Sequence, residues 1–448
     1  MKIEMFLRLS LISILLLLST SLLCQVEPSA SGGEGATDDD SLMPLSPEVS
    51  GSFYPSSVGS QARSNTLSGG IVFIAAYEDN LLTDATSKPV SAESYSINPA
   101  IRLEQSTSRT HGSLSYSPGF TFYEPVSAFN RVIQNALADF QYRLTPRLTF
   151  SGQEFFEQNS SAFSQPYSYA GATVSGSNDV GAPILIVPFL GQIVNSTSGT
   201  IGYQFSRNGM IGGSGSYSIF DFSGQTQQTG LYNSGTEGGS GFYSRRLTLA
   251  QFIGVRYRYY RTVANPGAAT TQTQAGSVFY TITFPDRLSL SLSGGPEYEL
   301  TTSPGVPSTN TWGPGGSVSL GWQRTRTNLA MGYSRAITSG QGFLGAYTTD
   351  NANLTAQWLL TPRLTAGLSG SYSNIKNATP LLAPTNPAGH TLFGRASLQY
   401  TLSEHMNVVG EYTRLHQNYG GIAEITNDPN ADRVSVTLNY SFTRPLGQ

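Results

Sequence analysis

From residue 433 to 442 the chain reads Arg-Val-Ser-Val-Thr-Leu-Asn-Tyr-Ser-Phe, and every second residue is apolar. Val434, Val436, Leu438, Tyr440 and Phe442 therefore share one face of a strand, and Arg433, Ser435, Thr437, Asn439 and Ser441 share the other, because successive side chains point to opposite sides. No other stretch supplies a complementary apolar sheet or helix to cover the apolar face. Hydrocarbon can cover it. There every backbone polar group must be paired within the protein, so such a strand has to belong to a closed ring.

The alternation recurs from Gly69 onward as pairs of runs joined by a tight polar turn and separated by longer loops. Leu144-Thr-Pro-Arg-Leu148 returns as Leu360-Thr-Pro-Arg-Leu364, with related forms at Phe284-Pro-Asp-Arg-Leu288 and Leu402-Ser-Glu-His-Met406. Proline with a polar neighbour pre-sets a turn, and the apolar residues on either side restart strands. Ser206-Arg-Asn-Gly209, Tyr243-Ser-Arg-Arg-Leu247 and Gln323-Arg-Thr-Arg-Thr327 are predicted to do the same.

Between these turns the phase predicts strands over residues 69–77, 94–104, 110–122, 135–144, 147–156, 199–206, 209–220, 238–243 and 247–260. It predicts nine more over 272–284, 287–299, 315–323, 327–335, 346–360, 363–373, 391–402, 406–414 and 433–442. The fold class is thus all-β, a transmembrane antiparallel β-barrel of about 16–18 strands, with the lower count applying if the short run 238–243 is not a strand. An even number returns both ends of the chain to the side of the tight turns. Phase is clean where Leu288, Leu290 and Leu292 alternate with Ser289, Ser291 and Ser293. Tyr142, Tyr203, Tyr257, Trp322, Trp358 and Tyr400 are predicted to join the aromatic girdles at the two interfaces.

Composition supports a barrel over soluble domains. Only 12% of the 448 residues are charged, while Gly numbers 48, Tyr 24 and Phe 22, which suits strands, turns and interfacial aromatics. At the N-terminus Lys2 and Arg8 flank an apolar stretch over 9–23, the layout of a secretory signal peptide occupying residues 1–24. Lipidation of Cys24 is the competing reading, against which stands the bulky Leu23 before it. Residues 25–68, rich in Ser, Gly and Pro and carrying Asp38, Asp39 and Asp40, lack the apolar surface to fold alone and read as a disordered leader. With one cysteine the monomer can form neither a disulfide nor a thiolate metal site. No later segment reaches the roughly 20 apolar residues of a spanning helix.

The decamer ending at Phe442 resembles the C-terminal strand of bacterial outer-membrane β-barrel proteins, which alternates in this way and closes on an aromatic residue. It departs from that pattern in the six residues, 443–448, that follow. The resemblance implies a barrel over 69–443 with porin-like architecture and a periplasmic tail at 444–448. It places both termini in the periplasm, outer-membrane lipid and lipopolysaccharide around the wall, and insertion machinery reading segment 434–442.

With apolar residues facing lipid, the phase turns Arg102, Arg143, Arg256, Arg258, Arg395 and Arg433 inward with the acids Glu104, Asp139 and Glu411. A charge on the lipid face at mid-membrane costs about 2–4 kcal/mol, so inward is the stable direction. These are the pore-lining candidates, either as paired wall residues or as a bias towards anions. Glu297 and Glu299 are grouped with Asp79, Glu93, Glu124 and other acids of the longer loops. The longest connection, over 157–198, contains Ala182-Pro-Ile-Leu-Ile-Val-Pro-Phe-Leu-Gly191. Exposing Ile184, Leu185, Ile186, Val187, Phe189 and Leu190 to water is unfavourable. The readings that follow are a constriction folded into the lumen, similar to the third outer loop of general porins, a lid over neighbouring loops, or a protein-contact surface.

His111, His390, His405 and His416 form no Ser/His/Asp set and no metal spacing, so neither an enzyme nor a cofactor or metal is expected. The slightly acidic chain has no basic cluster for nucleic acid. A barrel this wide is not filled by its own wall side chains. The reading is a channel for passive diffusion of small hydrophilic solutes, with a polysaccharide-export conduit or a structural or adhesive barrel as alternatives. Homo-oligomers are compatible with all of these.

Overall fold

The computed structural model describes residues 65–81, 89–159, 191–223, 232–265, 267–285, 287–340, 343–378, 388–420 and 430–446, all within one compact unit, Leu42–Gln448. The expected signal peptide, Cys24, almost all of the leader and the apolar segment from Ile184 to Leu190 lie outside the described residues.

The described residues form eighteen strands. They are β1 (Asn65–Glu78), β2 (Ala92–Ser106), β3 (Thr110–Glu124), β4 (Arg131–Thr145), β5 (Leu148–Asn159), β6 (Gly191–Ser206), β7 (Gly209–Ser223), β8 (Asn233–Thr248) and β9 (Gln251–Asn265). The ring continues with β10 (Ala269–Thr283), β11 (Leu288–Ser303), β12 (Val306–Gln323), β13 (Thr327–Gly340), β14 (Phe343–Thr361), β15 (Leu364–Asn377), β16 (Ala388–Ser403), β17 (Met406–Gly420) and β18 (Asn430–Pro445). Each strand pairs antiparallel with its successor, and β18 returns to β1, from Thr66 opposite Pro445 to Glu78 opposite Arg433. The sheet is therefore closed, and its first and last strands are not edges.

Polarity is inverted relative to a soluble domain. The large exposed side chains are apolar, among them Phe73, Ile101, Phe150, Ile201, Val255, Val278, Leu368, Leu398, Val434 and Val436, and they occupy the outward phase of their strands. Buried side chains are mostly Ser, Thr, Gln and Glu on the inward phase. This is the arrangement of an all-β transmembrane barrel. Towards the long-loop rim the outer belt ends where tyrosine hydroxyls donate to carboxylates: Tyr95 to Glu93 at 2.9 Å, Tyr333 to Asp350 at 2.8 Å and Tyr412 to Asp432 at 2.6 Å. Such amphipathic rings suit a boundary between apolar and wet surroundings.

Several strand ends differ from the sequence reading. The strand predicted to stop at Tyr243 continues to Thr248, and the turn lies at Leu249 and Ala250, where the Ala250 N–H donates to Thr248 Oγ1 at 3.2 Å. Tyr243 and Leu247 keep the outward phase through the supposed turn, so the two arginines between them are strand residues. β6 begins at Gly191 rather than 199. At the closure, Asn65 to Ser68 and Arg444 to Pro445 are strand rather than leader and tail, because the two ends lend each other ladder partners.

Over β5 to β8 the outer face carries glycine where other sectors carry Leu or Val: Gly152, Gly199, Gly215 and Gly239 stand opposite one another in turn. A Cβ at Gly199 would meet no atom closer than 3.8 Å, whereas one at Gly295 would lie 1.8 Å from the Gly276 carbonyl oxygen. Gly199→Val should therefore stabilise the barrel by about 1 kcal/mol through strand propensity. Gly295→Ala should destabilise it by about 1–3 kcal/mol or more through overpacking. Urea unfolding of the refolded variants, followed by heat-modifiable gel migration, measures both.

Candidate functional site

The inner wall is built from short hydroxyl side chains that hydrogen-bond sideways between strands. Ser96 meets Thr121 at 2.8 Å, Thr236 meets Thr262 at 2.9 Å, Thr281 meets Ser291 at 2.9 Å and Ser293 meets Ser317 at 2.8 Å. Inward-facing polar pairs need no apolar cover, so the wall can stand around a wet interior.

The charged residues expected inside are found on the inner phase, and most of them are partnered. Arg102 pairs with Glu104 at 3.6 Å, and Arg395 with Glu411 on the neighbouring strand. Arg258 pairs with Glu297 at 3.2 Å and Arg433 with Glu78 at 3.5 Å, two acids the sequence reading had not turned inward. Asp139 accepts from Ser113 at 3.2 Å and from Gln153 Nε2 at 2.9 Å. Arg256 lies over the Phe279 ring at 5.7 Å, and Arg143 stands exposed beside the tight-turn rim. Arg131, not singled out from sequence, sits over Tyr123 at 4.6 Å.

Glu297 and Glu299 correct the sequence reading. They are not loop acids but buried inner residues of β11, which runs on to Ser303. Extending the phase of Ser289, Ser291 and Ser293 by three more pairs of residues would have found them.

They mark an irregularity in the wall. β12 and β13 pair only from Gly316 opposite Arg335 to Gln323 opposite Asn328. Above that the strands part, and Cα atoms of β13 come within 8 Å of β9, β10 and β11. Glu297 reaches past the bare Cα of Gly315, where a Cβ would lie 2.2 Å from its carboxyl carbon, and accepts the Ile337 N–H at 2.6 Å. Ser339 donates to Thr262 Oγ1 at 3.0 Å. The upper part of β12 lies across β13 and β14, since the Thr311 hydroxyl donates to the Ala378 carbonyl beyond β15 at 3.2 Å. Ile337 and Ala346, in the outward phase of their strands, are consequently buried. The wall laps over itself here, and Glu297 with Arg258 fastens the lap.

A second departure from a uniformly polar wall lies on β15 to β18. Ile375, Phe393, Leu415 and Ala431 form an inward apolar band near the long-loop rim, with Phe393 opposite Leu415 and Leu415 opposite Ala431, each no more than 5% exposed. At this level the inner face of the wall is locally apolar, between polar residues such as Thr391, Thr413 and Gln417 on the same phase. His390 and His416, on the outward phase of β16 and β17, have ring centroids 5.4 Å apart. Among the described residues no group of three or more His, Cys, Asp or Glu is placed to hold a metal.

No protein-family model matches the chain, and no curated protein matches it in sequence. Among solved structures it is similar to the FrpB iron transporter of Neisseria meningitidis, with 9% identity, 85% of this chain and 82% of that one covered, and a TM-score of 0.43. It is similar to Pseudomonas aeruginosa OccK1, with 10% identity, 84% and 99% covered, and a TM-score of 0.41. It is also similar to Acinetobacter baumannii OccAB2, with 8% identity, 85% and 98% covered, and a TM-score of 0.42.

Removing one member of a buried ion pair leaves the other charge uncompensated, at a cost of about 3–5 kcal/mol. Glu297→Ala should therefore destabilise the barrel by that order. Arg258→Met with Glu297→Met should cost distinctly less than the single change, as measured by denaturant unfolding in detergent.

Proposed function

We propose that the chain is a bacterial outer-membrane channel for passive diffusion of small hydrophilic solutes, with both termini on the periplasmic side. The observation that carries this reading is the closed eighteen-stranded ring, apolar on its outer face and lined within by hydroxyls, amides and ion pairs. A ring of that size encloses more space than its wall side chains fill, and a polar lining keeps that space wet. The lap, which brings β13 against the inner face of β9 to β11, leaves less than the full cross-section, and this favours small solutes over polymers.

Charge pairing bears on selectivity. Arg102, Arg258, Arg395 and Arg433 each face a carboxylate, so the arginines alone do not set the field in the lumen. The channel is then weakly selective, with the preference for anions small.

Refolded protein in a planar bilayer should give steady single-channel conductance, with a reversal potential near zero in a salt gradient. Glu411→Gln removes the carboxylate facing Arg395 and should move the reversal potential towards anion preference. A folded, heat-modifiable barrel that never conducts would overturn the diffusion reading in favour of an export conduit or a surface-binding barrel.

A further inference from the structure

Inside the lap, the environments of two acids on one strand face are unequal. Glu297 has its charge answered by Arg258 and by the Ile337 N–H. Glu299, two residues along and 1% exposed, has only the Thr301 hydroxyl at 3.5 Å on Oε1, and its Oε2 has no hydrogen-bond partner. Protonation would remove the buried charge, but it would still leave one of the two carboxyl oxygens with no partner from the protein. A buried group in that condition calls for something the polypeptide does not supply.

The surroundings say what would fit. Thr273 and Thr311 stand directly opposite Glu299 on β10 and β12, and Thr301 is flanked by Thr271 and Thr309. The Thr309 Oγ1 atom is also buried and without a partner. Thr309 is a diagonal neighbour of Glu299 on the same inner face, within reach of a shared ligand. The two orphan atoms are oxygens, the neighbouring donors are hydroxyls, and the acids and the arginine together leave one negative charge. Imidazole and thiolate, the ligands of softer metals, are absent from this set.

The geometry points to a site for a hard cation, of the sodium or calcium kind, held by the Glu299 carboxylate with hydroxyl oxygens of Thr301 and Thr309. The cation bridges neighbouring strands β11 and β12 in the segment where β12 has left β13, and so holds the outer layer of the lap together. The site stands independently of what passes through the lumen. With one uncompensated carboxylate, calcium affinity falls towards the weak end of extracellular sites, about 10⁻⁴–10⁻³ M.

The test is the thermal unfolding midpoint of the refolded full chain in detergent, in choline chloride against sodium chloride and against calcium chloride at equal ionic strength. Wild type is expected to gain a few degrees in sodium, calcium or both, and the arm that responds identifies the cation. Glu299→Gln should lose the response while matching or exceeding wild type in choline, since it removes a buried charge, and Thr309→Val should weaken the response. A wild type indifferent to the cation overturns the proposal. So does a Glu299→Gln variant that keeps the wild-type response, which would assign it to exposed rim acids such as Glu93 and Glu124.

Discussion

The backbone hydrogen bond is the constraint on which the whole molecule rests. In hydrocarbon an unpaired N–H or C=O costs several kcal/mol, so a sheet whose outer face is apolar can persist only as a ring. The pairing of β1 with β18 meets that condition along thirteen register positions. Everything else follows from it: the outward phase is free to be Leu, Val and aromatic because lipid covers it, and the inward phase is free to be Ser and Thr because no core has to be filled.

The lap shows how the same rule is met where the ladder fails. When β13 parts from β12 its N–H row needs new acceptors, and the Glu297 carboxylate supplies one to Ile337 from across the lap. A carboxylate in that position then needs its own charge answered, which Arg258 does. Glycine at 315 is what lets Glu297 pass, since a Cβ there would collide with its carboxylate, and glycine at 295 lets β11 lie close against Gly276 of β10. Backbone satisfaction, charge pairing and glycine placement are thus one solution to a single problem.

Much of this was legible in the sequence. The strict alternation of 433–442 and the repeated Leu-Thr-Pro-Arg-Leu turns narrowed the strand number to about 16–18, since each carries its own phase and its own stop signal. The short run at 238–243 grew into a sixteen-residue strand, because Gly at positions 235, 238, 239 and 241 hides alternation that the backbone keeps. The inward direction of Arg258, Arg395 and Arg433 could be read from phase, but not all their partners could, since register between strands is set by pairing and not by either sequence alone. Glu297 and Glu299 were obscured for a different reason: they close the strand predicted over 287–299, and acids at the end of a strand are readily grouped with the loop beyond it. The lap itself has no local signature, only a concentration of glycine on β11 and β12.

The closing pair of strands also sets the order in which such a chain can assemble. The Ser68 and Thr443 hydroxyls lie 3.1 Å apart although 375 residues separate them along the chain. Every other ladder joins consecutive strands and can form as a local hairpin, with little loop entropy to overcome. The first and last strands have to wait for all the others. Until they meet, each is an open edge able to pair with a second chain. Assembly is therefore a race between closing the ring and joining a neighbour, and the thirteen-position register between β1 and β18 is what ends it.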